Sequence, residues 1–244
     1  MTLNPMHQFE VYKIGPGINI GGVNLSFTNS SLFMAISSML ILSLLFFGTK
    51  KKSLIPSKIQ LITEMSYTFV AKMINDTAGS SARAFFPFVF TLFMFVLFCN
   101  MVGMLPYSFT VTSHIIVTFA LAAVVFIGVT VIGFAKHGIR YLELFVPKGV
   151  PVVLLPLIII IEIISYLSRP VSLAVRLFAN MMAGHTMLKV FGGFVISLGL
   201  LGGWLPLGFS VALTGLEILV AFLQAYVFAI LTCIYLNDAL NLHH

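Results

Sequence analysis

Long stretches without a charged residue limit what this chain can fold into more than any other feature. Residues 31–48, 85–105 and 115–134 contain no Asp, Glu, Lys or Arg and consist mainly of apolar side chains. A helix of about 20 such residues spans the roughly 30 Å hydrocarbon core of a bilayer. Only 8% of the 244 residues are charged, against about 25% in soluble domains. The sequence therefore predicts an all-α integral membrane protein.

Two further apolar stretches are longer. Residues 150–190 would be about 60 Å long as one helix, twice the thickness of the bilayer core. This stretch must either break, with Pro156 and Pro170 as candidates, or lie steeply tilted. After a glycine-rich turn that ends near Trp204, residues 208–236 form the last apolar stretch. We expect five crossings in a single membrane domain that covers all 244 residues.

Residues 56–76 differ from the crossings because polar and apolar side chains recur near the period of a helix. The apolar side consists of Ile59, Ile62, Met65, Phe69, Met73 and Ile74, and the polar side of Lys58, Glu64, Lys72 and Asp76. This pattern is typical of an amphipathic helix in the membrane interface, and we expect it on the inner surface. The alternative is a helix on the same side that docks a partner protein.

Basic residues indicate the orientation of the chain. They follow the first crossing at Lys50, Lys51, Lys52 and Lys58 and recur in the loop 136–148, whereas the loop 106–114 has no Lys or Arg. Because inner loops are enriched in Lys and Arg, residues 1–28 should lie outside and the C-terminus on the cytoplasmic or matrix side. The net charge of +6 follows from this bias, so no nucleic-acid partner is expected. We also expect no cleaved targeting segment.

Arg176 is the residue that most needs an explanation, because it lies deep within an apolar stretch. A cation at bilayer depth costs about 2.5 to 3.5 kcal/mol even on lenient scales, so it indicates a functional site. Arg169 has an equally good alternative as a member of a structural ion pair.

Other polar residues recur around Arg176. Glu162, Arg169 and Arg176 are spaced by seven residues and share one face of an ideal helix, provided that the proline between them does not rotate it. Asn180 lies close to that face, and His185 points to the opposite side.

The orientation also orders these residues by depth. Glu162 lies toward the inside, Arg176 in the middle and His185 toward the outside. If the last two helices are antiparallel neighbours with His185 level with Glu217, Arg176 is level with the turn that contains Phe228, close to Gln224. A fixed cation between groups that exchange protons suits a proton path that must not leak, since arginine stays charged and histidine and carboxylates exchange. A lone Asn or Gln in a membrane helix more often forms a hydrogen bond between helices than lines a proton path.

Three segments resemble subunit a of the F-type ATP synthase. They are Arg169-Pro-Val-Ser-Leu-Ala-Val-Arg-Leu-Phe-Ala-Asn-Met-Met-Ala-Gly-His185, Leu223-Gln-Ala-Tyr-Val-Phe228 and Tyr235-Leu-Asn-Asp238. Residues 100–114 are similar to the mitochondrial and alphaproteobacterial branch of that family. The resemblance extends from about Met6 to the C-terminus.

The resemblance implies a non-catalytic, proton-translocating stator subunit in an energy-transducing membrane, with ATP chemistry in partner subunits. Its partners would be the ring of c subunits, the peripheral-stalk b subunits and the lipid bilayer. Residues 150–236 would form a strongly tilted helical hairpin against the ring.

The resemblance also assigns roles to residues of this sequence. Arg176 would attract the ring carboxylate and block a leak between two half-channels. The outer half-channel would use His185 and Glu217, and the inner one Glu162. Polar neighbours of the arginine would be Asn180 and Gln224, and outer-access residues would be Asn100 and His114.

A redox subunit that binds haem or quinone and a secondary transporter are the alternatives. Axial haem ligation needs histidines on facing helices, and only His114 and His185 lie within or beside the apolar stretches. A secondary transporter is disfavoured because no internal repeat is visible. Cys99 and Cys233 have no partner at metal-ligand spacing, so we expect no disulfide, metal or cofactor.

Overall fold

The computed structural model describes residues 9–14, 18–20, 23–50, 55–105, 108–146 and 154–241. Three residues named above lie outside these ranges, namely Met6, Lys51 and Lys52.

Helices dominate the described residues. The six α-helices are α1 (Asn29–Lys50), α2 (Lys58–Ala78), α3 (Phe86–Gly103), α4 (Ile115–His137), α5 (Leu155–Gly202) and α6 (Trp204–Leu240). In the described part of the chain, five of them are long and apolar enough to cross a membrane, and α2 is not among these five. The expected fold class, an all-α integral membrane protein with five crossings, is confirmed.

Shorter elements connect the helices. The described 3-10 helices include Ser80–Phe85, Val111–Ser113 and Gly138–Phe145, and the strands β1 (Ile18–Ile20) and β2 (Val23–Leu25) pair antiparallel. The sequence predicted only a surface segment where the strands lie, because three-residue strands are too short to show an alternating pattern.

The α5 helix settles one question that the sequence left open. It is helical through Pro170, and its one interior residue with non-helical backbone angles is Gly199, at φ 61° and ψ −159°. A break at Pro156 or Pro170 is therefore wrong, since Pro156 lies in the first turn, where a missing N–H costs nothing. The apolar span Leu155–Gly199 has 45 residues, more than twice the roughly 20 that cross a bilayer upright.

The turn between the last two helices is shorter than expected. Gly192 and Gly193 lie inside α5, and the chain turns only between Gly199 and Trp204. Glycine inside a helix costs about 1 kcal/mol relative to alanine, which a long apolar helix tolerates. The glycine-rich stretch thus predicted the turn correctly only for its last part, after Gly199.

The contacts of the chain fall into two compact units, of which the first comprises Met1–Thr63, Met94–His114 and Leu177–Ala225. Here the extended segment before α1 pairs with its start, because Tyr12 N–H donates to Asn29 Oδ1 at 3.2 Å. At the other end of α1, Gly48 leaves room for the Thr63 side chain of α2. The α5 and α6 helices run antiparallel, with the rings of Phe191 and Phe209 stacked at 5.9 Å.

The second unit comprises Glu64–Phe93, Ile115–Arg176 and Tyr226–His244. Its α2 segment packs on α3 through Tyr67 and Phe86, whose ring centroids are 4.6 Å apart. The last turn of α4 contacts the last residue of α6, because Lys136 Nζ donates to the Leu240 carbonyl oxygen at 3.0 Å.

The exposure of α2 differs from a simple amphipathic pattern. Ile59, Ile62 and Met65 are exposed, whereas Gln60 and Thr63 are buried. The exposed apolar side chains of such a helix suit contact with lipid. Its position in the membrane interface remains a prediction.

Candidate functional site

His185 on α5 and Glu217 on α6 lie together in the first unit. His185 Nδ1 is 3.1 Å from Glu217 Oε1, and the two side chains are 12% and 5% exposed. Both carboxyl oxygens of Glu217 are buried, and neither has a hydrogen-bond partner among the described residues, so the approach of His185 Nδ1 is a close contact without hydrogen-bond geometry. A buried carboxyl oxygen without a protein partner needs a proton or a water molecule, so this pair suits proton exchange.

The close approach of this carboxyl to α5 depends on Gly184. A Cβ at this position would lie 2.7 Å from Glu217 Oε1 and 3.0 Å from its carboxyl carbon. Any other residue would push the carboxyl away from the neighbouring His185. The sequence analysis did not single out Gly184, because a glycine within a helical pattern does not reveal what it faces.

The other side of the His185 ring contacts the loop between α3 and α4. His185 Nε2 is 2.8 Å from Thr110 Oγ1, and this hydroxyl also donates to the Gly103 carbonyl oxygen at 3.1 Å. The ring of Phe9 lies 6.5 Å from the His185 ring. The sequence analysis missed Thr110, since an uncharged loop residue carries no signal of burial.

Asn100 is fully buried, and both ends of its amide bond protein groups. Its Nδ2 donates to the Ala221 carbonyl oxygen at 3.2 Å, and its Oδ1 accepts from the Thr112 hydroxyl at 2.8 Å. Ala221 is one helical turn after Glu217 on α6. Asn100 therefore fixes α6 near the Glu217 carboxyl. This is the structural role that a lone amide in a membrane helix more often has.

His114 lies just before α4 and stacks on Phe109, with ring centroids 5.0 Å apart. Partial burial lowers the pKa of His114 below its ordinary value. Burial therefore disfavours the charged form of the imidazole.

Asn180 and Gln224 join α5 to α6, about one and a half turns from His185 and two turns from Glu217. Asn180 Nδ2 donates to Gln224 Oε1 at 3.0 Å. Gln224 is 4% exposed, and its Nε2 has no hydrogen-bond partner in the part of the chain that the structure describes.

The second unit holds the two arginines, and their surroundings differ. Arg169 Nη1 is 3.2 Å from Asp238 Oδ2, and its guanidinium lies 5.5 Å from the Tyr166 ring and 5.1 Å from the Tyr235 ring. Arg176 is exposed and has neither an ion pair nor a hydrogen bond within the described ranges. Arg169 thus adopts the structural alternative that the sequence left open.

Glu162 is half-buried on α5, and no described residue forms a hydrogen bond or ion pair with it. Because α5 is continuous through Pro170, Glu162, Arg169 and Arg176 share one helix face, as their spacing requires.

These features define a class of protein: a multi-pass membrane protein whose two longest helices carry ionisable side chains inside apolar spans. The model of the ATP synthase A chain family matches residues 31–237. The chain therefore belongs to the ATP synthase subunit a family, the proton-translocating stator subunits of F-type ATP synthases, which confirms the family inferred from the sequence.

Individual relatives cover the whole chain. It is 76% identical over 244 residues to ATP synthase subunit a of Pelagibacter ubique, covering 100% of both chains. It is 60% identical over 250 residues to ATP synthase subunit a of a Chelativorans species, also covering 100% of both. With that of Parvibaculum lavamentivorans it shares 57% over 248 residues, covering 99% of this chain and 95% of the relative. These matches do not favour a haem or quinone subunit or a secondary transporter.

Proposed function

We propose that this chain passes protons to and from a rotating ring of c subunits through two half-channels that Arg176 separates. The observation that carries this proposal is the exposure of Arg176 without a partner among the described residues. A membrane arginine normally pairs with an acidic group or with backbone carbonyls. The missing partner therefore belongs to another subunit.

The surroundings of Arg176 fit a protein partner that carries a carboxylate. Val171 and Val175 are 49% and 44% exposed, and Ser172, one turn before the arginine, is exposed as well. These side chains are small or compact, so the backbone of a neighbouring helix can approach closely. An ionised carboxylate on that helix would pair with the guanidinium, which stays charged at any physiological pH.

The outer half-channel consists of residues in the first unit. His185 and Glu217 exchange the proton, since they face each other at 3.1 Å. Asn100 and His114 line the access from outside, and Asn100 in addition holds α6 in place. Both buried oxygens of Glu217 lack a hydrogen-bond partner in the described chain, so the proton has two positions at which it can enter or leave the carboxyl group.

The inner half-channel begins at Glu162 in the second unit. Glu162 is half-buried, which is compatible with contact between its carboxyl and water from the inner side. Between the two routes, α5 presents Arg176 and then Asn180, which is bonded to Gln224. A proton that leaves the ring carboxylate cannot pass the fixed cation directly, so it crosses only with rotation.

The orientation follows the basic residues. Lys136 and His137 both contact the Leu240 carbonyl oxygen, at 3.0 and 3.2 Å. The basic end of α4 and the end of α6 therefore lie at the same membrane face, which the positive-inside rule assigns to the cytoplasm or matrix. The extended segment before α1 lies outside. We further propose the peripheral-stalk b subunits as partners, on the resemblance alone.

Disulfide cross-linking tests the position of Arg176 against the ring. Cysteines are introduced at Ser172 or Val175 in the whole complex, after Cys99 and Cys233, which are both buried, are replaced by serine. We expect cross-links to a cysteine near the ring carboxylate from both positions. Leu173→Cys is the matched control, because Leu173 is 1% exposed and should not react. Equal reaction at all three positions, or none, contradicts the proposal.

A further inference from the structure

Each ring nitrogen of His185 has its own contact. Nδ1 faces Glu217 Oε1 at 3.1 Å, and Nε2 lies 2.8 Å from Thr110 Oγ1. The Thr110 hydroxyl has one proton, which it donates to the Gly103 carbonyl oxygen at 3.1 Å. A hydroxyl whose proton is already donated can only accept a further hydrogen bond. While the Thr110 hydroxyl donates to Gly103, the ring presents an N–H group at Nε2.

The packing around Thr110 holds its side chain beside the Gly103 carbonyl oxygen. Thr110 is 4% exposed, so water competes little for its proton. A Cβ on Gly103 would lie 2.7 Å from Thr110 Cγ2 and 3.0 Å from Oγ1. Thr110 reaches the carbonyl oxygen only because residue 103 has no side chain.

We propose that Thr110 is a positioning residue that fixes the tautomer of His185, an inference that rests on the proposed proton path. With Nε2–H bonded to Thr110, Nδ1 is the nitrogen that gains and loses the transported proton. In the transfer, the N–H bond at Nδ1 breaks and an O–H bond forms at Glu217 Oε1. The imidazolium and the carboxylate both become neutral. In the other tautomer the exchangeable position would be Nε2, on the side of the ring away from Glu217.

The test measures passive proton conductance of the membrane sector. The complete complex is reconstituted in vesicles, and its ATP-hydrolysing part is then removed. Conductance is expressed per subunit a present. Thr110→Val keeps the size of the side chain and removes the hydroxyl, and we expect conductance about tenfold lower, as for the loss of one hydrogen bond to a group that becomes charged. Thr110→Ser keeps the hydroxyl and should conduct close to the unaltered protein.

Thr232→Val is the matched control. Thr232 is also buried, and its hydroxyl donates to the Phe228 carbonyl oxygen of its own helix at 2.8 Å. This variant should conduct normally. If the Thr110→Val complex lacks subunit a, Thr110→Ala replaces it, because alanine is smaller and fits beside Gly103.

A double-variant cycle separates the positioning role from general packing. In a His185→Gln background, Thr110→Val should change conductance by less than about twofold, because the ring that it orients is gone. An undiminished tenfold effect in that background overturns the inference. So does a Thr110→Ser variant that conducts as poorly as Thr110→Val.

Glu217→Gln distinguishes failure of this inference from failure of the proposed function. If Glu217→Gln conducts normally, the proton path does not run through this pair and both proposals are wrong. If Glu217→Gln blocks conductance and Thr110→Val does not, the proposed function stands and the inference about Thr110 alone is wrong.

Discussion

Arg169 on α5 is paired with Asp238 on α6, with Arg169 Nη1 3.2 Å from Asp238 Oδ2, whereas Arg176 on the same helix has no such partner in the described chain. The pair is only partly exposed, at 24% and 36% of the two side chains, and two tyrosine rings flank the guanidinium. Two arginines that look alike in the sequence thus have different surroundings. One holds two helices together, and the other is free to bind a neighbour.

Arg169→Gln should destabilise subunit a without destroying the pumping mechanism. Loss of a half-exposed ion pair leaves Asp238 unpaired and costs about 1 to 2 kcal/mol, between the values for exposed and buried pairs. The measurement is retention of subunit a in the purified complex on heating. The exchanged variant Arg169→Asp with Asp238→Arg should recover part of the loss. If Arg169→Gln abolishes pumping in a fully assembled complex, the structural role of Arg169 is wrong.

Glu217→Gln should slow proton conductance about 100-fold, because an amide cannot exchange a proton as a general acid or base. The double exchange His185→Glu with Glu217→His should restore part of the flux, since the two positions face each other at 3.1 Å. Conductance of the stripped membrane sector measures both. A double exchange no better than the single variants would show that the two side chains do not act as a pair.

Gly184→Ala should lower proton conductance about tenfold or more, because the added Cβ would lie 2.7 Å from Glu217 Oε1 and displace the carboxyl from His185. Gly192→Ala is the control on the same helix, since nothing lies within 4 Å of a Cβ there. That substitution should leave conductance unchanged. Equal conductance of the two variants would contradict the packing argument.

His114 should make the complex sensitive to acid. Burial lowers its pKa below the ordinary value, so the unfolded chain binds the proton first as pH falls. The contribution of His114 to stability is therefore complete above about pH 6.5 and is lost below it. We expect His114→Gln to narrow the difference in thermal stability between pH 7.5 and pH 5.5. A difference as large as in the unaltered complex would contradict this assignment.

The membrane helices were predictable because hydropathy over about 20 residues is a strong and local signal. The ends of the helices were less predictable. The α6 helix runs from Trp204 to Leu240, whereas the sequence predicted residues 208–236. The apolar residues of helix ends look the same whether the last turn is helical or not.

The sequence singled out Glu217 and Arg176 because a charge interrupts an apolar span at each of them, and their roles stay predictions. The sequence could not reveal Thr110, Gly184 or the partner of Arg169, because these contacts depend on which chain segments approach each other. Neither polarity nor spacing along the sequence encodes a hydrogen bond between residues 75 positions apart, such as the one between Thr110 and His185.

The central claim is that Arg176 couples proton flow to rotation. ATP-driven proton pumping by the whole complex in reconstituted vesicles, with Arg176→Ala in place of the natural residue, tests it most directly. A proton crossing 100 mV releases about 2.3 kcal/mol, so a leak past this position would dissipate the gradient. We predict that the variant complex assembles with its full content of subunit a and pumps no protons. Normal coupled pumping by the assembled Arg176→Ala complex would contradict the account.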